Sequence, residues 1–231
     1  DLTTKCFYTK TTSHLKDKIS IYRKELDSNS SIISVKDFGK GSRVFKSNKR
    51  AVSKIAKVAG ISKKRSELLI RLVEYFKPSN ILEIGTSLGI GTASLALGNK
   101  KANVISLEGC PNTANVAIQQ LKKHNLQNVE IKIGGFKNTL KDTIKQHQFD
   151  LIYFDGNHQK EPTILYFEQC LSNIHNESVF IFDDIHWSEE MQEAWEYIKN
   201  HPKVTVTIDS YFWGFVFFRK EQVKEHFVIR I

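Results

Sequence analysis

The sequence contains few of the residues that build disulfide or metal-staple scaffolds. Only three of its 231 residues are cysteine. Cys6, Cys110 and Cys170 are too widely spaced to form a CxxC pair or a zinc-binding pattern. Scattered thiols in an odd number are typical of reduced cysteines in a reducing compartment. We therefore expect three free thiols and a cytoplasmic location.

Long apolar runs are also lacking. No apolar stretch reaches the about 20 residues that a membrane-spanning helix needs, and the first residues show no signal-peptide pattern. We therefore expect no membrane association. With 231 residues, 40% of them hydrophobic, the chain is long enough for one large α/β domain that needs no disulfide or metal.

Acidic residues are in the minority. Lys and Arg number 34 against 25 Asp and Glu, which gives a net charge of +9. This charge favours an anionic partner such as a nucleic acid. However, the basic residues are spread through the chain, with local density only at Lys46 to Arg50 and Lys63 to Arg65. We interpret both clusters as solvated surface and keep nucleic-acid binding as the less favoured alternative.

The N-terminal part of the chain divides into a polar and an amphipathic segment. Residues 1–50 are rich in Ser, Lys and Thr and are predicted to form an N-terminal extension with one helix over Ser13–Asp27. From 51 to 76, apolar residues recur at three- and four-residue steps, which predicts two cap helices, with Ser62 as the N-cap of the second. These helices are assigned to the main domain, residues 51–231.

From residue 81 onward, short β-rich runs alternate with amphipathic stretches. Five strand–helix units in a row predict a doubly wound parallel sheet with helices on both faces. Two further β-rich runs, 204–209 and 212–219, predict a C-terminal antiparallel hairpin, so we expect a mostly parallel, seven-stranded sheet. The strands predicted for the five units are Ile81–Ile84, Asn103–Leu107, Val129–Ile133, Asp150–Phe154 and Ser178–Phe182.

A glycine-rich loop follows the first predicted strand, which carries Glu83 near its end. Ligands of doubly wound sheets bind at the carboxyl ends of the strands, and glycine allows the backbone to approach them closely. The loop glycines, Gly85, Gly89 and Gly91, depart from the GxGxxG spacing of dinucleotide-binding proteins. A carboxylate at this position also opposes a pyrophosphate. Glu83 instead favours a cationic ligand, and both features disfavour a nicotinamide dehydrogenase.

The stretch ILEIGTSLGIGT resembles motif I of the class I S-adenosylmethionine (SAM)-dependent methyltransferases. Its Glu-x-Gly-x-x-x-Gly form is similar to that of the small-molecule O-methyltransferases, including catechol O-methyltransferase. The resemblance covers roughly residues 65–220. It implies a Rossmann-like methyltransferase fold, SAM as the cofactor and a small hydroxylated molecule as the substrate. In this loop it implies that the cofactor contacts are Glu83, Gly85, Thr86, Ser87 and Gly89.

Three later strand ends complete the implied cofactor site. Glu108 follows the second strand, about 20 residues past the loop, where a carboxylate accepts hydrogen bonds from ribose hydroxyls. Gly135 and Phe136 follow the third strand, and the resemblance implies that they frame the adenine. A core aromatic is the alternative interpretation of Phe136. Asp155, after the fourth strand, is the last implied cofactor contact.

The fourth and fifth strand ends carry the predicted chemistry of methyl transfer. Three carboxylates at one rim repel each other unless a cation or protons neutralise them, and oxygen ligands suit a hard divalent ion. The resemblance implies Asp155, Asp183 and Asp184 as Mg²⁺ ligands. Because Asp184 stands where catechol O-methyltransferase has Asn, a metal-free site stays open. His158 and His186 are candidate general bases, since imidazole titrates near neutrality, and Asp155 is predicted to orient the substrate.

Two alternatives remain at this stage. An RNA or protein N-methyltransferase fits the positive charge, but such enzymes commonly carry an Asn/Asp-Pro-Pro-Tyr motif where this chain has Asp155-Gly156-Asn157-His158. A non-catalytic cofactor-binding protein is the other alternative. Residues 1–76 are expected to cap the site and set substrate choice, and a homodimer is compatible with the sequence.

Overall fold

The chain begins with short elements that pack beside the main sheet. The computed structural model describes residues 1–36 and 47–231. A π-helix (Thr3–Phe7) precedes helix α1 (Ser13–Ser28), which confirms the helix predicted there. Strands β1 (Ile32–Ser34) and β2 (Lys49–Ala51) form a small antiparallel pair that was not predicted. Three-residue strands are too short to show an alternating pattern.

The two predicted cap helices are confirmed as α2 (Val52–Ala59) and α3 (Lys63–Phe76). The Ser62 hydroxyl accepts a hydrogen bond from the Arg65 backbone N–H at 3.3 Å, so Ser62 caps α3 as expected. The buried side of α3 includes Leu69, Ile70 and Leu72, which are completely inaccessible to solvent. The cap helices are therefore held by the same core as the sheet.

The main sheet contains eight strands within the described residues, in the order β10-β8-β9-β7-β6-β3-β4-β5. All neighbours are parallel except that β9 runs antiparallel to β7 and β8. The strands are β3 (Asn80–Ile84), β4 (Asn103–Glu108), β5 (Val129–Ile133), β6 (Leu151–Phe154), β7 (Val179–Asp183), β8 (Val206–Asp209), β9 (Trp213–Phe217) and β10 (Glu225–Val228). The helices that follow β3 to β7 are α4 (Ile90–Gly98), α5 (Pro111–Lys123), α6 (Phe136–Gln146), α7 (Lys160–Cys170) and α8 (Glu189–Asn200).

This order confirms the predicted fold class. The chain leaves β3 toward β4 and β5 on one side and returns to β6 on the other side. The carboxyl ends of β3 and β6 are therefore the topological switch point, where ligands of such sheets bind in a crevice. The eighth strand, β10, was not predicted, because all four of its residues are exposed and show no alternation.

Both faces of the sheet are buried. Along β6, Leu151 and Tyr153 belong to the core that includes α3 and α4, whereas Ile152 and Phe154 face the core formed by α6, α7 and α8. The first of these cores also contains Phe7 and residues of α1. The extension thus packs directly on the sheet.

The expectation of three free thiols agrees with the structure. Cys6, Cys110 and Cys170 are buried, free thiols. In the part of the chain that the structure describes, no helix is long and apolar enough to cross a membrane.

The two basic clusters only partly fit the interpretation as solvated surface. Lys63 and Lys64 are exposed, but Arg50 is only 7% exposed, and its Nε donates to the Ser47 carbonyl at 3.1 Å. Arg65 turns into the site described below. Lys46 lies outside the described residues. The interpretation is therefore wrong at both arginines.

Candidate active site

The glycine-rich loop lies in close contact with the end of β6. Gly85 has φ +110°, and a Cβ there would lie 2.2 Å from the Asp155 carbonyl oxygen. The N–H groups of Gly85 and Thr86 both donate to the Leu107 carbonyl, at 3.0 and 3.1 Å. Gly89 has φ +78° and precedes α4. Glycine is therefore required at position 85, where the loop passes between β4 and β6.

Glu83 lies beneath this loop and is completely buried. Its Oε2 accepts hydrogen bonds from the Thr92 hydroxyl and, at 2.5 Å, from the Ser106 hydroxyl. Its Oε1 has no hydrogen-bond partner among the described residues. A Cβ on Gly91 would lie 2.6 Å from that oxygen. The carboxylate is thus held by one oxygen, and the other is unpartnered.

Burial raises the pKa of Glu83 to about 8, although the hydrogen bonds from Ser106 and Thr92 oppose this shift. Sequence reasoning missed both hydroxyl residues. Thr92 and Ser106 are completely inaccessible to solvent. A buried hydroxyl needs a hydrogen-bond partner. The position of these two hydroxyl residues close to Glu83 in the predicted buried elements was the signal in the sequence that they bind its carboxyl group.

Glu108 connects the loop to the end of β4. Its Oε2 accepts from the Ser87 backbone N–H at 2.7 Å, and its Oε1 accepts from the Cys110 N–H at 2.8 Å. Burial raises the pKa of Glu108, and these backbone hydrogen bonds oppose the shift. The structure therefore brings together two predicted cofactor contacts, Ser87 and Glu108, at one end of the crevice.

The predicted adenine contacts lie at the start of α6. Gly135 is exposed, and a Cβ there would meet nothing within 4 Å. The Phe136 ring is partly buried and packs edge-on against Tyr166, with ring centroids 5.9 Å apart. It also borders the loop end, since a Cβ on Gly156 would lie 2.8 Å from its Cε2. Phe136 is thus both a core contact and a wall of the crevice.

Asp155, Asp183 and Asp184, which we call the acid cluster, meet at the carboxyl ends of β6 and β7. Asp155 Oδ2 accepts from the Tyr153 hydroxyl at 3.2 Å, and its Oδ1 lies 3.6 Å from His158 Nε2. Burial and, next, the charge of Asp183 raise the pKa of Asp155 well above its usual range. Burial and Asp183 also raise the pKa of Asp184. The acid cluster therefore favours a bound proton or a neighbouring cation.

Arg65 of α3 supplies such a cation. Its Nη1 lies 2.8 Å from Asp183 Oδ1 and 3.6 Å from Asp184 Oδ1. The guanidinium carbon lies 5.1 Å from the centroid of the Phe212 ring. Trp213 Nε1 donates to the same Asp183 oxygen at 2.6 Å. Sequence reasoning missed Arg65, because it stands next to two exposed lysines and shares their helical turn.

The acid cluster in this arrangement does not fit a divalent ion. In residues 1–36 and 47–231, no group of three or more His, Cys, Asp or Glu side chains is placed to hold a metal. The predicted ligands Asp155, Asp183 and Asp184 do converge. However, Asp183 Oδ1 already accepts from two donors, and a guanidinium lies between Asp183 and Asp184. The predicted Mg²⁺ site is therefore not assembled.

The two candidate bases have different partners. His158 lies beside the acid cluster, and its backbone has φ +35°. His186 Nε2 lies 2.7 Å from Asp209 Oδ2 at the end of β8, and its ring stacks on Tyr211 with centroids 5.5 Å apart. The structure thus brings His158, rather than His186, into direct contact with Asp155.

Residues 82–185 match a family model described as a methyltransferase domain. The central part of the chain is therefore similar to methyltransferase domains. The matched segment extends from β3 to just beyond β7, so it contains the glycine loop, Glu108 and the acid cluster. His186 and Arg65 lie outside it.

Several solved structures share the fold of this chain. A SAH-bound methyltransferase of Podospora anserina is 18% identical, covers 90% of this chain and 97% of its own, and has a TM-score of 0.65. An O-methyltransferase of Bacillus cereus in complex with SAH is 21% identical, with 93% of each chain covered and a TM-score of 0.59. The O-methyltransferase TomG of Streptomyces achromogenes, in complex with SAM, is 17% identical, with 92% and 93% covered and a TM-score of 0.62. No curated protein sequence matches the chain significantly.

Proposed function

We propose that this protein is a class I methyltransferase that transfers the methyl group of SAM to a hydroxyl oxygen of a small molecule. One observation carries the proposal. The Asp155 backbone touches the glycine loop at Gly85, while the Asp155 side chain belongs to the acid cluster. The cofactor crevice and the acid cluster therefore adjoin at a single residue, as a donor and an acceptor must for direct transfer. Two proteins of similar structure are O-methyltransferases, which supports the choice of oxygen.

The cofactor side of the proposal rests on the residues around the crevice. SAM supplies an activated methyl group on its sulfonium. The unpartnered, buried oxygen of Glu83 complements a positive charge. The two Glu108 oxygens accept backbone hydrogen bonds from Ser87 and Cys110, and a carboxylate at this strand end suits hydrogen bonds from ribose hydroxyls. The remaining contacts of the proposed cofactor site are Gly85, Thr86, Ser87, Gly89, Gly135, Phe136 and the Asp155 backbone.

The acceptor side rests on Asp155 and His158. In the proposal, His158 takes the proton of the acceptor hydroxyl on Nδ1 as the oxygen is methylated, while its Nε2–H faces Asp155; a neutral imidazole is a suitable base near neutral pH. Asp155 Oδ1, at 3.6 Å, stabilises the imidazolium and fixes the ring. His186 is the alternative base, with Asp209 in the corresponding role. No step requires a metal.

Calorimetric titration with SAM tests the cofactor half. We expect binding by the wild type and a loss of about tenfold or more in affinity for Glu108→Gln, which removes a charged hydrogen-bond acceptor. Glu130→Gln changes an exposed carboxylate on the neighbouring strand β5 and should bind like the wild type. Absence of wild-type binding at about 1 mM SAM contradicts the proposal.

Release of SAH in the presence of a panel of hydroxylated small molecules tests the acceptor half. The same assay includes RNA, since the net charge of +9 favours that acceptor. Turnover with hydroxylated molecules supports the proposal. Turnover with RNA alone shows that the acceptor is a nucleic acid and not a small molecule. The proposal that SAM is the cofactor is unaffected by that result.

A further inference from the structure

We infer that Arg65 is the resident counter-cation of the acid cluster and keeps divalent metals out of it. The inference rests on the proposed function only in its consequence, which is that methyl transfer proceeds without a metal. Arg65 is then a positioning residue that holds Asp183 beside Asp155. The geometry of its contacts carries the argument.

The lone pairs of Asp183 Oδ1 are already occupied by two donors. A carboxylate oxygen offers about two acceptor positions. On Asp183 Oδ1, Arg65 Nη1 at 2.8 Å and Trp213 Nε1 at 2.6 Å fill both of them. The side chain of Asp183 is only 5% exposed, so water does not compete for this oxygen. A metal ion that used this oxygen would have to displace one of these donors.

Arg65 also places a fixed positive charge beside two carboxylates of the acid cluster. The same Nη1 lies within 3.6 Å of Asp184 Oδ1, so one guanidinium serves two carboxylates. Arginine stays charged at all accessible pH values and is more weakly hydrated than lysine, which suits a partly buried position. Its side chain is 24% exposed. A divalent cation bound here would stand next to this fixed positive charge and be repelled by it.

Several contacts hold the Arg65 guanidinium in this position. Arg65 lies in the first turn of α3, which Ser62 caps, and its guanidinium lies over the Phe212 ring. A cation over an aromatic face is attracted by the ring electrons. Arg65 is thus fixed by an ion pair, an aromatic contact and a capped helix. Arg230 also has an aromatic contact, with Tyr211, and an ion pair, with Asp209 at 3.8 Å, but it is 65% exposed.

Binding of Mn²⁺ alone, followed by electron paramagnetic resonance of the free ion, tests the inference. We expect the wild type to bind Mn²⁺ no more tightly than about 1 mM. Arg65→Ala should create a site that binds at least about tenfold more tightly, because it frees the Asp183 oxygen and removes the repelling charge. Adding Asp183→Asn should abolish this new site. Arg65→Lys keeps the charge and should behave like the wild type, and Arg230→Ala is the matched control.

Three results would overturn the inference. They are a wild-type Mn²⁺ site that Asp183→Asn removes, an Arg65→Ala variant that gains no site, and wild-type turnover that EDTA abolishes. Should Arg65→Ala fail to fold by circular dichroism, Arg65→Met replaces it, since an apolar chain fills the same space. Manganese binding is measured without SAM or acceptor, so failure of the methyl-transfer proposal gives a separate result.

Discussion

The buried carboxyl group of Glu83 makes the stability of the ligand-free protein depend on pH. Its pKa is about 8 in the folded protein and about 4.3 to 4.5 in an unfolded chain. Because the folded-state pKa is raised, the stabilisation is full below the unfolded pKa and is lost as the pH rises through 8. The total shift of about 3.5 units corresponds to about 5 kcal/mol. Between pH 5 and pH 9 the loss amounts to about 4 kcal/mol.

Glu83→Gln removes this titration. Other buried carboxyl groups, such as Asp155 and Asp184, shift in the same direction. The quantity to measure is therefore the difference in unfolding free energy between wild type and variant, by urea denaturation at several pH values. At pH 5 we expect the variant to be less stable by about 1–3 kcal/mol, because its amide N–H groups lack an acceptor. At pH 9 it should be the more stable of the two.

The control for this experiment is Glu130→Gln, which alters an exposed carboxylate. Its difference from the wild type should not change with pH. A wild-type minus Glu83→Gln difference that stays constant from pH 5 to pH 9 refutes the reasoning, because it shows that Glu83 titrates alike in the folded and unfolded states.

Three further predictions concern the loop and the base. Gly85→Ala should lower the unfolding temperature and abolish SAM binding, because its Cβ meets a carbonyl oxygen at 2.2 Å, whereas Gly135→Ala, with open space around it, should change neither. Equal unfolding temperatures of the Gly85→Ala and Gly135→Ala variants contradict this prediction. Tyr22→Phe removes a buried hydroxyl that donates to a loop carbonyl at 3.0 Å. It should cost about 1 kcal/mol in urea denaturation and weaken SAM binding in calorimetry, and unchanged binding shows that the contact does not shape the loop. His158→Gln should reduce turnover about 100-fold or more with SAM affinity unchanged, and the exposed control His14→Gln should turn over like the wild type. Full turnover by His158→Gln shows that another residue acts as the base.

The arrangement of the proposed cofactor contacts was predictable, because its signals are local in the sequence. Gly85, Ser87 and Glu108 stand at the ends of consecutive strands, and the order of parallel strands brings such ends to one edge. The helices and strands of this region were recognised for the same reason, since their hydrophobic periodicity is strong.

The acceptor side was less predictable, because its decisive contacts join distant parts of the chain. Arg65 and Asp183 are 118 residues apart, and nothing in the helical pattern distinguishes Arg65 from Lys64. His158 and His186 looked equivalent, since both follow a strand end. They differ in their partners, because His186 pairs with Asp209, which lies 23 residues further along the chain at the end of β8.

The hydrogen bond from Tyr22 to the Leu88 carbonyl joins residues that are 66 positions apart. Helix α1 belongs to the segment predicted to cover the acceptor, whereas Leu88 belongs to the loop proposed to hold the cofactor. Free energies of binding at two sites that share a contact are coupled, and the coupling is reciprocal. An acceptor that displaces α1 changes the affinity for the cofactor by a certain factor. The cofactor then changes the affinity for that acceptor by the same factor. Removal of the Tyr22 hydroxyl is therefore expected to alter the coupling between acceptor binding and cofactor binding.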